Sequence, residues 1–545
     1  MCKLVSALLL ALLPSAACAQ PAAPARLTTG APRLVIMISV DQFSADLFDE
    51  YRPQFTGGLA RLAGGTVFRN GYQSHAATET CPGHSTILTG ARPGRTGIIA
   101  NAWVDQSQIR SDKTVYCAED ERVPGTSSIA YKVSPLHLKV PTLGERMKAL
   151  WTGSQNVAVA GKDRAAVMMG GHTPDQRWYW DGKRFSTDLN AALPASVTRA
   201  NTTVAALIAA PQEALEPPAI CAAKARPIAI EGGVKTVGDG RFARAAGDDI
   251  GFRASPAFDG AVLALAAGLI QEMKLGQDAA PDLISIGLSA TDYVGHSFGT
   301  GGQEMCLQLL SLDRDLGDFL RLLDRSGLDY VVALTADHGG EDIPERLRLK
   351  GVAAARVDPA LAAAEVGKTI AAKLKLSGPV LLGNFGGDVY LDRALKPADR
   401  SRAQRAAVAA YSAHPQVAAV FTSDQLRRVA IPTTDPGRWT LAQRARASFD
   451  LKRSGDLVVL LKPHVTPIAK PSASFVATHG SPWDYDRRVP ILFWRPRMAA
   501  ANRNDAAETV DIMPTLAAML GLRIEARGID GKCLSGIQAI TCPAR

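Results

Sequence analysis

The sequence predicts an α/β protein with a mostly parallel central sheet and helices on both faces. Three short segments are rich in Val, Ile and Leu at odd and even positions alike, which is typical of strands covered on both faces. They are RLVIMISVDQ at 33–42, DLISIGLSATD at 282–292 and YVVALTADHGG at 330–340. Helical patterns lie between them, at 258–275 and 305–324. This alternation of strands and helices favours a parallel sheet.

The first nineteen residues have the layout of a cleaved secretory signal. Lys3 precedes an apolar run at 4–13, and the small residues Ala17-Cys18-Ala19 follow. We therefore expect an exported protein, periplasmic or secreted, whose mature chain begins near Gln20. No later stretch reaches the ~20 apolar residues of a membrane helix, so we expect no transmembrane anchor.

The remaining chain, 20–545, is long enough for one large domain or for several. We predict a single domain with two insertions, at about 172–257 and 343–450. These insertions are expected to form cap segments that surround the functional site. Both intervals are punctuated by Pro and Gly. The first contains a hairpin pattern, WYWDGKRF, and the second an Ala/Arg-rich helix at 399–413.

Charge and cysteine content limit the possible partners and compartment. The formal net charge is +9, but the basic residues are dispersed, so we expect no nucleic-acid-binding module, only a mild attraction for anions. Beyond the signal, six cysteines remain, an even number that suits an oxidising compartment. Cys533 and Cys542 are the pair most readily expected to form a disulfide. The other cysteines could form disulfides in several pairings or remain buried free thiols. The oligomeric state also stays open. The six are Cys81, Cys117, Cys221, Cys306, Cys533 and Cys542.

An aspartate stands at the end of each predicted strand. Ligands of open α/β sheets gather beyond the carboxyl ends of strands, so Asp41, Asp292 and Asp337 are expected to converge. His296 lies one helical turn after Asp292, and His338 follows Asp337. Taken singly, each Asp/His pair is more often a hydrogen-bonded loop. Together, at strand ends, they predict a metal centre, and carboxylate with neutral imidazole suits zinc.

Thr80 is a candidate nucleophile. It lies in ATETCPGHSTILTGARPGRTG (77–97), where Pro82 suits the first turn of a helix and Thr80 the cap before it. The free N–H groups and dipole of a helix amino end stabilise an alkoxide or a phosphate. A threonine hydroxyl needs a base or a metal to become reactive. The alternative for this segment alone is a plain helix cap.

These segments together resemble the alkaline phosphatase superfamily, in its branch of type I phosphodiesterases and nucleotide pyrophosphatases. The likeness is greatest to PafA-like bacterial alkaline phosphatases with a threonine nucleophile, and it extends from about residue 33 to 531. The segments that support it are Asp41, the run from 77 to 105, GKDR at 161–164, TDYVGHSFG at 291–299, TADHGG at 335–340, THGSPWDYD at 478–486 and TVDIMPTLAAMLGL at 509–522.

The resemblance implies two Zn²⁺ per subunit and a phosphothreonine intermediate. One ion would be held by Asp292, His296 and His479. The other would be held by Asp41, Asp337, His338 and the Thr80 oxygen. Two close metals fit in-line phosphoryl transfer. Since both ligand sets are then complete, we expect His84 to have a packing or supporting role.

The resemblance also implies that Asn101, Lys162 and Arg164 bind phosphate oxygens, as in the monoesterases; the diesterases lack the Lys/Arg pair. Lys162 and Arg164 are two residues apart after a strand-like segment, so extended backbone aims both to one side. The two proposed zinc ions and their ligands have a total charge near zero. The two positive charges of Lys162 and Arg164 therefore balance the two negative charges of a phosphate monoester better than the single charge of a diester.

We therefore predict a zinc-dependent alkaline phosphatase that hydrolyses small-molecule phosphate monoesters with broad specificity. The alternative is a phosphodiesterase or nucleotide pyrophosphatase of the same superfamily. A sulfatase is disfavoured, because Cys81-Pro82 is not followed by the arginine of that motif. An exported zinc- or phosphate-binding protein without turnover is disfavoured too, since binding alone needs no nucleophile. The natural substrate stays open.

Overall fold

The computed structural model describes residues 30–190, 192–538 and 540–542. The predicted secretory signal, residues 1–19, lies outside the described residues. Among the helices of the described ranges, none combines the length and the apolar character that a membrane crossing requires.

Twenty strands are described, most of them short. In chain order they are β1 (Leu34–Val40), β2 (Thr66–Tyr72), β3 (Ala102–Val104), β4 (Thr114–Tyr116), β5 (Asn156–Ala160), β6 (Gln176–Trp180), β7 (Phe185–Ser186), β8 (Ile228–Ala229), β9 (Thr236–Val237), β10 (Asp282–Leu288), β11 (Tyr330–Thr335), β12 (Ala355–Arg356), β13 (Leu381–Gly383), β14 (Gly387–Leu391), β15 (Val417–Thr422), β16 (Leu457–Leu461), β17 (Val465–Thr466), β18 (Arg488–Trp494), β19 (Ala501–Arg503) and β20 (Ala507–Glu508).

Nineteen α-helices are described. In chain order they are α1 (Ala45–Tyr51), α2 (Gly58–Leu62), α3 (Thr80–Ile87), α4 (Pro93–Thr96), α5 (Leu143–Leu150), α6 (Asp163–Gly170), α7 (Ala195–Ala209), α8 (Ala219–Ala222), α9 (Asp249–Arg253), α10 (Pro256–Glu272), α11 (Ala290–Phe298), α12 (Gln303–Arg325), α13 (Pro344–Leu349), α14 (Ala363–Leu374), α15 (Pro397–Ser412), α16 (Ser423–Arg428), α17 (Leu441–Ser448), α18 (Asp484–Arg487) and α19 (Ile512–Leu520).

A ten-stranded central sheet organises the fold, in the order β19-β2-β18-β11-β1-β10-β5-β6-β7, with β20 also paired to β2. The three predicted strands are β1, β10 and β11, and they are neighbours with parallel pairing. Of the described strands in this sheet, β7 and β18 run antiparallel to their neighbours. The predicted α/β class with a mostly parallel sheet is confirmed.

Apolar side chains of β1 explain why its sequence is hydrophobic at both parities. Ile36 and Ile38 belong to the core on one face, where α10 and α12 pack. Val35 and Met37 belong to the core on the other face, together with residues of α5 and α19. The helices predicted at 258–275 and 305–324 are α10 and α12. Helices therefore cover both faces of the sheet, as predicted.

A second, antiparallel sheet, β13-β14-β16-β15, has its own apolar core against α14 and α15. The Ala/Arg-rich helix predicted at 399–413 is α15. Tyr390 of β14 packs beside Cys81 and Trp103, so this sheet contacts the segment that follows Thr80. The WYWDGKRF hairpin forms as β6 and β7 and extends the central sheet. The single domain and its two insertion boundaries stay a prediction.

All six expected cysteines pair. The disulfides are Cys81–Cys117, Cys221–Cys306 and Cys533–Cys542. The first joins α3 to the end of the β3–β4 hairpin, and the last is the pair expected from the sequence. Disulfides persist in oxidising compartments, so this pattern is consistent with an exported protein.

Asp259 of α10 gives a stability prediction. Burial raises its pKa to about 7, so the folded state binds the proton more tightly than the unfolded chain and stability falls as pH rises from about 4 to 7. Asp259→Asn removes that ionisation, and its amide can donate to Gln308 Oε1, which has no hydrogen-bond partner among the residues that the structure describes. We measure the free energy of unfolding in urea at pH 5 and at pH 8. Between these two pH values the variant should lose less of it than the wild type does, by roughly 1–3 kcal/mol. If the variant lost as much stability between pH 5 and pH 8 as the wild type, the prediction would be wrong. Asp318→Asn, at an exposed aspartate, is the control.

Candidate active site

Three aspartates meet at the carboxyl ends of the central strands. Asp41 directly follows β1, Asp337 lies two residues beyond β11, and Asp292 lies in the first turn of α11, just after β10. Because β10, β1 and β11 are adjacent, strand order alone brings the carboxylates together. The side chains of all three are buried.

The first group of potential metal ligands is Asp292, His296 and His479. Asp292 Oδ1 lies 3.3 Å from His296 Nε2 and 3.4 Å from His479 Nε2. Helix α11 places Asp292 and His296 on one face, as the four-residue spacing predicts. His479 comes from a turn in which Gly480 has φ +108°, a conformation that favours glycine.

Backbone carbonyls fix the orientation of these imidazoles. His296 Nδ1 donates to Ala477 O and His479 Nδ1 donates to Thr78 O, each at 2.8 Å. His338 Nδ1 likewise donates to Gly339 O at 2.8 Å. Each ring then turns the lone pair of Nε2 toward a carboxylate. This arrangement is the one found around metal-ligating histidines.

The second group is Asp41, His84 and Asp337. His84 Nε2 lies 3.4 Å from Asp41 Oδ1, and His84 Nδ1 lies 3.3 Å from Asp337 Oδ2. Sequence reasoning gave His84 a packing or supporting role; its Nδ1 donates to Thr80 O at 2.9 Å, and its ring lies between these two aspartates. His338, the ligand expected here, has Nε2 3.1 Å from Asp337 Oδ2, and its ring stacks on His479 with centroids 3.5 Å apart. His338 therefore faces the space between the two groups.

Thr80 is the first residue of α3, and Glu79 takes the N-cap position that the sequence suggested for Thr80. The helix end approaches the ligands closely. A Cβ at Gly83 would lie 2.0 Å from Asp337 O, so only glycine allows this contact. Thr80 is buried, and its Oγ1 has no hydrogen-bond partner among the described residues.

Lys162 connects the two groups. Its Nζ lies 2.5 Å from Asp292 Oδ2 and 3.0 Å from Asp41 Oδ2, and the side chain is 1% exposed. It also lies 5.0 Å from the ring centroid of Tyr293. The Lys162 ammonium thus contacts one aspartate of each ligand group and lies between the two groups.

Arg164 and Asn101 lie near the amino end of α3, where Thr80 is located. Arg164 Nη1 is 3.4 Å from the Tyr116 hydroxyl, and its buried Nε has no partner among the described atoms. Asn101 Oδ1 accepts from Cys81 N at 2.8 Å. Since Cys81 is bonded to Cys117, next to Tyr116, one disulfide ties the helix to the hairpin that contacts Arg164.

The charge states of Asp41, Asp292 and His296 suit cation binding. Burial opposes ionisation of Asp292, yet His296 and Lys162 hold its pKa well below the usual range. Burial likewise opposes ionisation of Asp41, whose pKa is lowered by Lys162 and His84. Burial lowers the pKa of His296 to about 4, so that ring is neutral at pH 7. Ionised carboxylates beside a neutral imidazole are the forms that bind metal.

Unpaired buried atoms test whether a metal would fit. Leaving a buried polar atom unsatisfied costs about 1–3 kcal/mol. Oxygen and nitrogen atoms of this kind are lone-pair donors that zinc accepts. Those without a hydrogen-bond partner among the described residues are Asp41 Oδ1, Thr80 Oγ1, His84 Nε2, Asp292 Oδ1, Asp337 Oδ2 and His338 Nε2. The two groups could therefore hold metal ions.

Comparison with known proteins identifies the family. The family model described as type I phosphodiesterase / nucleotide pyrophosphatase matches residues 35–482. The chain belongs to this family. It is 54% identical over 509 residues to alkaline phosphatase PhoK of Sphingomonas sp, covering 92% of this chain and 91% of PhoK. It is 48% identical over 521 residues to alkaline phosphatase PhoD of Zymomonas mobilis, covering 94% and 90%.

The fold agrees with a solved relative. The crystal structure of alkaline phosphatase PafA has a TM-score of 0.79 and 25% identity, and the match covers 90% of this chain and 96% of PafA. The resemblance to PafA-like alkaline phosphatases, expected from the motifs, is confirmed. This member of the type I phosphodiesterase / nucleotide pyrophosphatase family has the alkaline-phosphatase-like fold.

Sequence reasoning missed several residues around the Lys/Arg pair of this family member. Asp163 accepts from the hydroxyls of Tyr116 at 2.8 Å and Tyr131 at 2.7 Å, and from Arg164 N at 2.7 Å. This network fixes the backbone between Lys162 and Arg164. Tyr293 could have been noticed, since it directly follows Asp292. Nothing in the spacing indicates Tyr116 or Tyr131.

Proposed function

We propose that this protein is a zinc-dependent alkaline phosphatase that hydrolyses phosphate monoesters through a phosphothreonine intermediate, with broad specificity. Two relatives that align with more than nine-tenths of the chain are alkaline phosphatases. The observation that supports the proposal most is the buried Lys162, which contacts one aspartate of each ligand group. Three disulfides support export to the periplasm or beyond.

Two zinc ions per chain are proposed. The residues that would hold the first are Asp292, His296 and His479. Those that would hold the second are Asp41, Asp337, His338 and the Thr80 oxygen, with His84 between the two aspartates. When bound, the ions would supply the charge that lowers the pKa of a hydroxyl and offsets negative charge on a transferring phosphoryl group.

Thr80 is the proposed nucleophile. Its hydroxyl lies at the amino end of α3, where free N–H groups favour negative charge. Loss of the hydroxyl proton to solvent lets Oγ1 form a bond to phosphorus while the bond from phosphorus to the leaving oxygen breaks. The leaving oxygen takes a proton and departs as the alcohol. Water then attacks the phosphothreonine, releasing inorganic phosphate and restoring Thr80.

Lys162, Arg164 and Asn101 are the proposed phosphate-binding residues. Negative charge spreads over the non-bridging phosphoryl oxygens during transfer, so cationic donors aimed there stabilise the transition state. Arg164 Nε has no hydrogen-bond partner within the described part of the chain, and the Asn101 amide NH2 can donate while its Oδ1 accepts from Cys81 N. Two positive charges match the doubly charged phosphate of a monoester.

Phosphodiester hydrolysis is the second candidate, because the matching family is described as type I phosphodiesterase. A paired assay separates the two. Turnover of p-nitrophenyl phosphate and of bis-p-nitrophenyl phosphate is measured at alkaline pH, with and without a chelator. Fast monoester turnover that the chelator removes and zinc restores supports the proposal. Preference for the diester supports the second candidate, and bound zinc without turnover of either ester argues against both.

His479→Ala is expected to lose about one of the two proposed zinc ions per chain, because it removes a neutral imidazole from the first ligand group. Metal loss of this kind is measured by elemental analysis after dialysis against buffer with trace zinc. His172→Ala is the control, since His172 lies outside both ligand groups and contacts Glu145. Equal zinc content in the two variants would contradict the assignment of His479.

A further inference from the structure

A cavity of about 780 Å³ opens beside the proposed phosphate-binding residues. Its lining includes Lys162 and Arg164 together with the aromatic side chains of Tyr131, Trp180 and Tyr293. We call it the clamp-side cavity. Its volume is in the range of small-molecule sites. An alcohol leaving group on a phosphate held at Lys162 would therefore find space here.

The acidic residues of the clamp-side cavity are occupied by internal contacts. Asp163 accepts from the hydroxyls of Tyr116 and Tyr131. Asp188 forms a two-pronged pair with Arg177. Asp181 accepts from backbone N–H groups of its own turn. These carboxylates consequently offer little to a cationic ligand.

Arg253, at the end of α9, is the opposite case. It lines the same cavity, is half-buried, and forms no salt bridge among the described residues. Its guanidinium carbon lies 4.4 Å from the Tyr293 ring centroid. Lys162 Nζ lies 5.0 Å from that same centroid. The two cations are thus no further apart than the sum of these two distances.

We propose that Arg253 forms a second anion subsite, which binds an oxyanion such as a carboxylate on the leaving alcohol of the phosphate monoester. The inference rests on the proposed function and adds to it a preference, among phosphate monoesters, for those whose leaving group carries a second negative charge. A guanidinium suits this role, because its planar donors grip two oxygens at once. Stacking on Tyr293 holds it in place and leaves its edge free for the ligand.

Arg253→Gln tests the subsite, since it keeps a hydrogen-bonding side chain and removes the charge. Phenyl phosphate and 4-carboxyphenyl phosphate are compared, and each rate is expressed as a ratio to wild type so that intrinsic reactivity cancels. We expect kcat/KM for the carboxylated substrate to fall about tenfold more than for phenyl phosphate, the scale of one charge-assisted hydrogen bond. Arg253→Lys should recover part of the difference. Exposed Arg314→Ala is the control for the loss of one positive charge.

Calorimetric titration with phenylphosphonate and 4-phosphonobenzoate, which cannot be hydrolysed, tests the subsite without turnover. Tighter binding of the carboxylated compound to wild type, lost in Arg253→Gln, supports it. Equal effects on the members of each pair would overturn it, even if phenyl phosphate is a good substrate. A protein that turns over neither ester but shows the binding preference would refute the proposed function and still support the subsite.

Discussion

Thr80→Ala is expected to lower kcat/KM for p-nitrophenyl phosphate by roughly 10³-fold or more, as removal of a catalytic nucleophile does in other hydrolases. The alanine side chain has no oxygen to form the phosphothreonine, while the aspartate and histidine ligands and Lys162 stay in place. Thr80→Ser should retain activity, because it keeps the hydroxyl at the amino end of α3. Steady-state rates at alkaline pH measure both variants.

A trapping experiment makes the assignment of Thr80 specific. Wild-type protein quenched with acid during turnover should yield a peptide with phosphate on Thr80, detected by mass spectrometry, and Thr80→Ala should not. Thr202→Ala is a matched control, since Thr202 is an exposed residue whose hydroxyl bonds Thr198 O within α7. An unimpaired Thr80→Ala enzyme, or phosphate trapped on another residue, would remove Thr80 as the nucleophile.

The central sheet and two members of the first ligand group, Asp292 and His296, could be predicted from the sequence because both follow from local patterns. Strands buried on both faces are apolar at both parities, and each marks its carboxyl end by the aspartate that follows. The spacing of Asp292 and His296 places both on one face of α11. His479 has no local signal of this kind, and only the family resemblance indicated it.

Other features depend on contacts between distant segments. His84 reaches Asp41 and Asp337 because Gly83 lets α3 pack against the backbone of Asp337, an approach that spacing does not predict. Similarly, the expectation that Lys162 faces phosphate leaves out the two carboxylates it contacts, which follow two other strands, β1 and β10. Sequence patterns identify the elements, whereas the packing between them decides which side chains meet.

Lys162→Ala combined with Arg164→Ala is expected to lower kcat/KM for p-nitrophenyl phosphate by roughly 10²-fold or more, the scale of losing strong electrostatic donors. Hydrolysis of bis-p-nitrophenyl phosphate should fall less, since its single negative charge gains less from two cations. Zinc content is measured in parallel, because Lys162 also neutralises Asp41 and Asp292. If the variant and the wild type contain equal zinc, a larger loss of monoester than of diester hydrolysis shows that the pair acts on the charge of the substrate.

The double substitution Lys183→Ala and Arg184→Ala is the matched control for that pair. These two residues lie exposed in the β6–β7 hairpin, so their removal changes the net charge equally without altering the site. It should leave the ratio of monoester to diester rates unchanged. If the Lys162/Arg164 variant lost both activities to the same extent, the pair would not distinguish the two esters. Selectivity for monoesters would then have to come from the space available for a second organic group.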